Sequence, residues 1–148
     1  MTESPHIEAV CLSEQKGMRK APIESGRLVQ DVGLEGDAHA GTTNRQVSLL
    51  CRASMDKMEE LDAQPGDFAE NLTLDGCTHE QFQIGTTVRL EGGPVLEVTQ
   101  RGKQCHGECE IARQTGDCVM PREGIFARVA RGGPVRPGDT VEIERHED

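Results

Sequence analysis

Apolar positions along the chain fall in short runs, many alternating with polar ones: Ile7 to Leu12, Arg45 to Cys51, Asn71 to Leu74, Thr87 to Leu90, Val95 to Thr99 and Val141 to Ile143. Alternation with a period of two puts one face of an extended chain against a core, so each run predicts a strand. Pro65-Gly66, Gly92-Gly93-Pro94, Gly132-Gly133-Pro134 and Pro137-Gly138 interrupt the runs and predict turns, because Gly supplies positive φ and Pro presets φ. Ile125 to Ala130 fits both the strand and the helix period, and the Gly-rich turns around it favour a strand. One helix is predicted from Arg52 to Asp62, with Met55, Met58 and Leu61 on one face and Pro65-Gly66 as its stop. A second helical turn is predicted from Glu108 to Gln114. Gly85-Thr-Thr-Val-Arg-Leu and Gly138-Asp-Thr-Val-Glu-Ile echo each other, each a turn glycine opening a strand, over too short a span to count as a repeat. Many strands joined by tight turns, with one or two short helices, predict a mainly β fold of barrel or sandwich type.

Length changes this picture little: 148 residues suit a single domain. Aromatic residues are scarce, three Phe with no Trp or Tyr, so Val, Leu, Ile, Ala and Met must build most of the core. Charge matters more. The net charge of -10 and the lack of stacking aromatics argue against a nucleic-acid partner. Residues 101 to 136 nevertheless carry +3 while the remainder carries -13, and a basic segment in an acidic protein suits a small anion such as a phosphorylated cofactor. No apolar stretch has the length of a membrane span, and the polar, acidic start has neither part of a signal peptide. A soluble, cytoplasmic protein is expected, and in that compartment its six cysteines are reduced thiols.

The densest reactive cluster is Arg101-Gly-Lys103-Gln-Cys105-His106-Gly-Glu-Cys109, followed by Cys118. A thiol is a nucleophile or soft-metal ligand only as the thiolate, and Arg101, Lys103 and His106 favour that anion at Cys105. Cys11, Cys51 and Cys77 lie in apolar or unremarkable settings and read as small buried hydrophobes. The spacings C-x3-C and C-x8-C match no zinc ribbon, which wants two tight pairs. A second constellation runs Gly33-Leu-Glu-Gly36-Asp37-Ala-His39-Ala-Gly41 and on to Arg45. Its glycines expose backbone N–H groups suited to an anion, and Arg45 adds a bidentate contact to phosphate. His39 reads equally as a ligand or as a loop residue bonded to backbone, and Asp37 and Asn71 equally as site or turn-capping residues. Lys16, Lys20, Lys57 and Lys103 carry no Schiff-base motif and read as solvated lysines, although Lys103 lies within the basic cluster.

Taken together, Gly33 to Gly41, Arg45-Gln-Val-Ser-Leu-Leu50, Pro65-Gly-Asp-Phe-Ala-Glu-Asn-Leu-Thr73, Leu96 to His106 and Gly116 to Val129 resemble the MOSC domain, the family named for the C-terminal domain of molybdenum cofactor sulfurase. The resemblance runs from about Val10 to Ile143 and is to the small bacterial stand-alone members. It implies one domain over residues 1–148 with a MOSC-type β-barrel, and molybdenum cofactor (molybdopterin) as the group handled. The family's characteristic cysteine falls on Cys105, which would accept sulfane sulfur or ligate molybdenum. Arg45, Lys103 and Arg122 would hold the cofactor phosphate, with His39, Asp37 and Asn71 as further cofactor-binding candidates. The desulfurase half of sulfurases is absent from this sequence, so a pyridoxal-phosphate-dependent cysteine desulfurase becomes the possible sulfur donor. Molybdenum-cofactor biosynthesis proteins or molybdoenzymes become the other partners. Two further roles stay open: a molybdenum-dependent reductase of N-hydroxylated compounds fed by a partner electron donor, and a zinc-binding or protein-interaction module built on Cys105, Cys109 and Cys118.

Overall fold

The alternating runs extend as strands in the computed structural model, which describes residues 4–13, 20–37, 40–41, 46–56, 64–66, 68, 70–101 and 123–144. In chain order these are β1 (His6–Leu12), β2 (Ala21–Ile23), β3 (Gly26–Val29), β4 (Gly33–Leu34), β5 (Val47–Cys51), α1 (Arg52–Met55), β6 (Leu72–Asp75), β7 (Thr87–Leu90), β8 (Val95–Arg101), β9 (Ile125–Arg131), β10 (Gly133–Val135) and β11 (Val141–Glu144). A 3-10 turn spans His79–Gln81. The mainly β expectation is borne out, and the ambiguous stretch after Gly124 is the strand β9. Of the helix predicted from Arg52 to Asp62, α1 ends at Met55 with Asp56 as its cap, and residues 57–63 lie outside the described ones. The turn predicted from Glu108 to Gln114 lies outside them too.

Eight strands pair in the order β11-β7-β8-β9-β5-β6-β1-β2, and β10-β3-β4 form a smaller sheet. Val47 to Cys51 has no exposed position, so β5 must be covered on both faces, and it sits inside the large sheet. Its neighbours are β9, antiparallel, and β6, parallel. β7 and β8 alternate as half-buried strands do, whereas β1 alternates only up to Ala9 and then buries Val10 and Cys11 as well. The core joins Ile7, Val10, Leu49, Leu72, Leu74, Val88, Leu96, Ile125 and Val129 with Phe82, and all three phenylalanines of this aromatic-poor chain are buried.

The two echoing segments are partners in space: β7 and β11 pair antiparallel from Thr87↔Glu144 to Leu90↔Val141, and each follows a glycine at φ 93°. At the far flank, Ile7 N donates to Asp139 O (2.8 Å), Gly138 N to Ile7 O (2.7 Å) and Val141 N to Pro5 O (3.0 Å), with an isolated bridge His6↔Thr140. Among the described residues the sheets are not closed into a barrel. What the sequence reading expected as a barrel is an open order of eight strands whose flanks meet at this short seam.

Three strands escaped the sequence pattern, and one predicted turn is a strand. β2 carries Pro22 opposite Cys11 and lies at the sheet edge, where a missing N–H is tolerated. β3 and β4 are too short to alternate visibly. Gly133-Pro134-Val135, expected as a turn, pairs with Leu28-Arg27-Gly26 of β3.

Tight backbone approaches decide where glycine is obligatory. A Cβ on Gly66 (φ 89°) would sit 1.9 Å from the Lys20 carbonyl oxygen, whereas one on Gly36, also at φ 89°, meets nothing within 4 Å. Gly36→Ala should therefore lose only the left-handed backbone penalty of about 1–2 kcal/mol. Gly66→Ala adds a backbone clash that no rotamer relieves, and should cost at least about 3 kcal/mol in urea unfolding. Equal losses in the two variants would contradict this placement of Gly66 against Lys20.

Candidate functional site

The segment carrying Cys105 leaves the sheet and returns to it at one place. β8 and β9 pair from Val95↔Arg131 to Arg101↔Ile125, so residue 101 and residue 125 are cross-strand partners at the end of that ladder. Residues 102–122 lie outside the described ones, and with them Cys105, Lys103 and Arg122, together with Cys109 and Cys118. Their anchors are well defined. Thr99 Oγ1 donates to Phe126 O (3.2 Å), and the Arg101 guanidinium reaches His79 O (3.3 Å) and Gln83 Oε1 (3.4 Å).

Glu123, the first described residue after the segment, is the centre of a small polar cluster. Its Oε1 accepts the Ser54 hydroxyl at 2.7 Å and lies 3.1 Å from His79 Nδ1, with both the His79 and the Glu123 side chains mostly buried. The imidazole bonds the carboxylate and the carboxylate bonds the serine, an anchoring order rather than a serine–histidine–acid relay. Beside it Arg52 grips Glu8 through two nitrogens, Nε at 2.9 Å to Oε1 and Nη2 to Oε2, which raises the guanidinium pKa further. The sequence reading passed over Ser54, His79 and Glu123. They come together across 69 residues, and no local spacing signals such a contact.

Cys51 and Cys77 end the same edge of the sheet, with their sulfurs 4.0 Å apart. Both are buried, as is Cys11, so the expectation of three buried thiols is borne out. The hydrogen bond to Cys77, together with burial, pushes the Cys51 thiol far up. The same bond holds Cys77 below its ordinary value against its own burial and the nearby Asp75.

The second constellation belongs to the opposite end of the β5–β9 pair. Val47↔Ala127 and Leu49↔Ile125 set the direction, and Gln46 Oε1 extends the ladder by accepting Val129 N at 2.9 Å. The chain therefore enters β5 at the end away from Glu123. Arg45 and His39 lie outside the described residues. Gly33, read as part of an anion-facing loop, opens β4, and a Cβ there would meet Gln46 O at 2.4 Å, so close strand packing explains this glycine. Four backbone N–H groups of the stretch are committed internally: Glu35 to Arg27 O, Asp37 to Leu34 O, Ala40 to Asp37 O and Gly41 to Val32 O.

Asp37 and Asn71 are both buried and both occupied. Asp37 Oδ1 accepts Lys20 Nζ at 2.7 Å and Ser13 N at 3.0 Å, with both charged side chains wholly buried. Lys20 was expected to be a solvated lysine; it is an internal counterion. Asn71 Oδ1 accepts the Ser48 N–H (3.0 Å) and hydroxyl (3.2 Å), while Nδ2 donates to Cys11 O (3.1 Å). Next to it Glu70 is fully buried, accepting Gly66 N (3.0 Å), Phe68 N (3.3 Å) and Thr73 Oγ1 (2.7 Å). Burial outweighs these three donors and holds the Glu70 carboxyl above its ordinary value. Among the described residues no three His, Cys, Asp or Glu side chains are grouped to hold a metal ion, and no helix is long and apolar enough to cross a membrane.

The MOSC domain model matches residues 36–142, which includes β5 to β10 and both anchors of the Cys105 segment. The chain belongs to the MOSC domain family. It is 28% identical over 144 residues to YflK of Bacillus subtilis (strain 168), an uncharacterized protein; this covers 87% of the chain but only 63% of that relative's length. The fold is similar to the crystal structure of the YuaD protein from Bacillus subtilis (TM-score 0.80, 17% identity, 98% of both chains). It is also similar to YiiM from Geobacillus stearothermophilus (TM-score 0.72, 20% identity, 95% of this chain and 75% of that one) and to YiiM from Escherichia coli (TM-score 0.68, 20% identity, 97% and 72%). At these identities the structural likeness establishes the MOSC fold alone.

Two measurements test the buried charges around the MOSC core. Asp37→Ala leaves the Lys20 ammonium buried without its carboxylate and should cost about 3–5 kcal/mol in chemical unfolding. Lys20→Met combined with Asp37→Leu should recover most of that loss, and a double variant as unstable as the single one would show that the pair is not the source. Glu70 adds a pH dependence of definite sign. Its folded pKa lies above the unfolded one, so its contribution is complete below the ordinary value of 4.5 and is lost as pH rises toward the folded value. Over that window the slope reaches at most about -1.4 kcal/mol per pH unit. Urea titrations upward from pH 5 should show this fall in the wild type and not in Glu70→Gln, whose stability starts lower because its amide faces N–H donors.

Proposed function

We propose that this MOSC protein handles the molybdenum cofactor, with Cys105 as the residue that accepts sulfane sulfur or ligates molybdenum. The observation that carries this reading is the family match across residues 36–142, which spans the Cys105 segment and both of its anchors. The β8–β9 ladder supports it. A reactive residue on a connection works best when both ends are held by rigid strands, and Arg101 and Ile125 are paired there.

The donor set agrees in kind with a molybdopterin. Cys105 offers a soft sulfur, and Lys103 and Arg122 on the same segment offer cations for a phosphate, whereas Arg45 precedes β5 at its other end and is not grouped with them. Asp37 and Asn71 already hold Lys20, Ser13, Ser48 and Cys11, so their part in this reading is to fix the framework. When bound, the cofactor supplies a molybdenum centre able to carry a terminal sulfur. The chain's own step is a transfer in which the Cys105 thiolate attacks the outer sulfur of a donor persulfide. A new S–S bond forms on Cys105, the donor's S–S bond breaks, and the donor leaves as a thiolate. A pyridoxal-phosphate-dependent cysteine desulfurase has the right chemistry to be that donor, and molybdoenzymes or cofactor-biosynthesis proteins to be the recipients.

Native mass spectrometry with peptide mapping tests this on protein purified anaerobically from a host that makes the cofactor. The expected result is bound molybdopterin mass, or one extra sulfur on the peptide from Gln104 to Arg113, lost in Cys105→Ser with an unchanged unfolding midpoint. Retention of either load by folded Cys105→Ser would overturn the assignment. Stoichiometric zinc alone, with unfolding on chelation, would turn the reading to a structural module.

A further inference from the structure

Cys51 and Cys77 are a pair of thiols in mutual contact that the cofactor reading does not use. Their sulfurs lie 4.0 Å apart, and the residues are separated by 26 positions in sequence. Cys51 is the last residue of β5 and immediately precedes α1. Cys77 follows β6 after the turn at Gly76, whose φ of 78° bends the chain back. β5 and β6 are parallel with Cys51 opposite Leu74, so a rigid register carries one thiol to the other. A disulfide needs the sulfurs to close to about 2.05 Å, and rotation about χ1 moves a sulfur by that order without strand displacement.

From this geometry we infer that Cys51 and Cys77 form an oxidisable dithiol, a modification site that a small hydroperoxide converts to an intramolecular disulfide. The two thiols have unequal roles. Cys77 is 8% exposed and Cys51 wholly buried, so a small oxidant reaches Cys77 first while bulky thiols are excluded. The hydrogen bond shared with Cys51 favours thiolate at Cys77, whereas Asp75, burial and the Cys77 thiol's own hydrogen bond to Asp75 O (3.8 Å) oppose it. That balance makes Cys77 attackable but slow compared with an exposed, activated thiol.

Cys77 first gives up its proton; the thiolate then attacks one peroxide oxygen, the O–O bond breaks, and the departing hydroxide combines with the released proton as water. Cys77 is then a sulfenic acid. The Cys51 sulfur attacks the Cys77 sulfur, the S–O bond breaks, and the departing hydroxide takes up the Cys51 proton as a second water. Two thiols have been oxidised and one hydrogen peroxide reduced to two waters. The product ties the end of β5 to the turn after β6, beside Ser54, which holds Glu123.

The inference is independent of the cofactor reading, and its test needs no cofactor. The reduced, folded full-length protein is titrated with hydrogen peroxide, quenched, alkylated in denaturant and digested with trypsin. The expected product joins the peptide from Gln46 to Arg52 to the peptide from Met58 to Arg89. It should grow with peroxide dose as alkylation of Cys51 falls in step, and disappear on adding dithiothreitol. In Cys77→Ser, Cys51 should stay fully alkylatable over the same doses. Either of two results would overturn the inference. One is complete alkylation of both cysteines at doses that oxidise the cysteines of residues 105–118; the other is Cys77 captured by a different cysteine. The wild-type peptide map alone decides the matter if the variant fails to fold.

Discussion

The side chain of Asn71 lies between β5 and β1 with no route to water, and every one of its hydrogen-bonding atoms has to find a partner inside the sheet. Its oxygen takes both donors of Ser48, its amide nitrogen serves Cys11 O, and its backbone exchanges bonds with Ser48 and Cys11 as well. One residue thereby fixes β6 between a parallel neighbour and an antiparallel one. Burial of both strands already favours one register, and the Asn71 bonds add a polar penalty to any other. A slip by one residue would leave the buried amide and the Ser48 hydroxyl unpaired at about 1–3 kcal/mol each, which is a large share of a domain's net stability. The register that places Cys51 against Leu74, and α1 against β6, follows from that constraint.

The same logic governs the connections. Lys20 precedes β2 and Asp37 follows β4, and their ion pair joins both ends of the β2–β4 excursion inside the protein. Glu70 closes the connection between α1 and β6 on Gly66, Phe68 and Thr73, and Gly66 in turn lies against the Lys20 carbonyl. In a chain with few aromatics, buried polar groups take over a task that large side chains usually perform: they define which loop packs where. Each is satisfied, since no described buried side-chain nitrogen or oxygen lacks a partner, and satisfied polar groups can specify a unique structure where apolar packing is lean.

This division explains what was legible in the sequence. Strands that alternate, such as β7 and β8, announce themselves because period two is a local property. So is the switch from β5 to α1, and so are the turn glycines that open β7 and β11. β2, β3 and β10 did not, because three or four residues cannot display a period and Pro22 and Gly133 carry the wrong propensities. Their strand state comes from the neighbours they pair with. Lys20 read as a surface residue because charge usually means exposure, Asp37 as a site or turn-capping residue, and only the fold brings them together. Cys105 was legible through basic neighbours in sequence. The Ser54, His79 and Glu123 cluster was not, since its members are drawn from α1, the turn after β6 and the start of β9.

These observations separate a framework from a place for chemistry. At the β4 and β5 entry, glycines and polar groups are taken up by close packing, as Gly33 against Gln46 and Asp37 against Lys20 show. At the other end the sheet delivers groups of a different kind: Arg101 reaching across to His79, a carboxylate shared by serine and imidazole, and two thiols in mutual contact. The connection with the most basic and thiol-rich composition in the chain starts and finishes there. Anchoring it on a strand pair and on Glu123 holds its two ends at fixed positions. The ladder that ends at Arg101↔Ile125 and the contacts of Glu123 thus fix where this connection begins and ends, without the close glycine packing of the β4 and β5 entry.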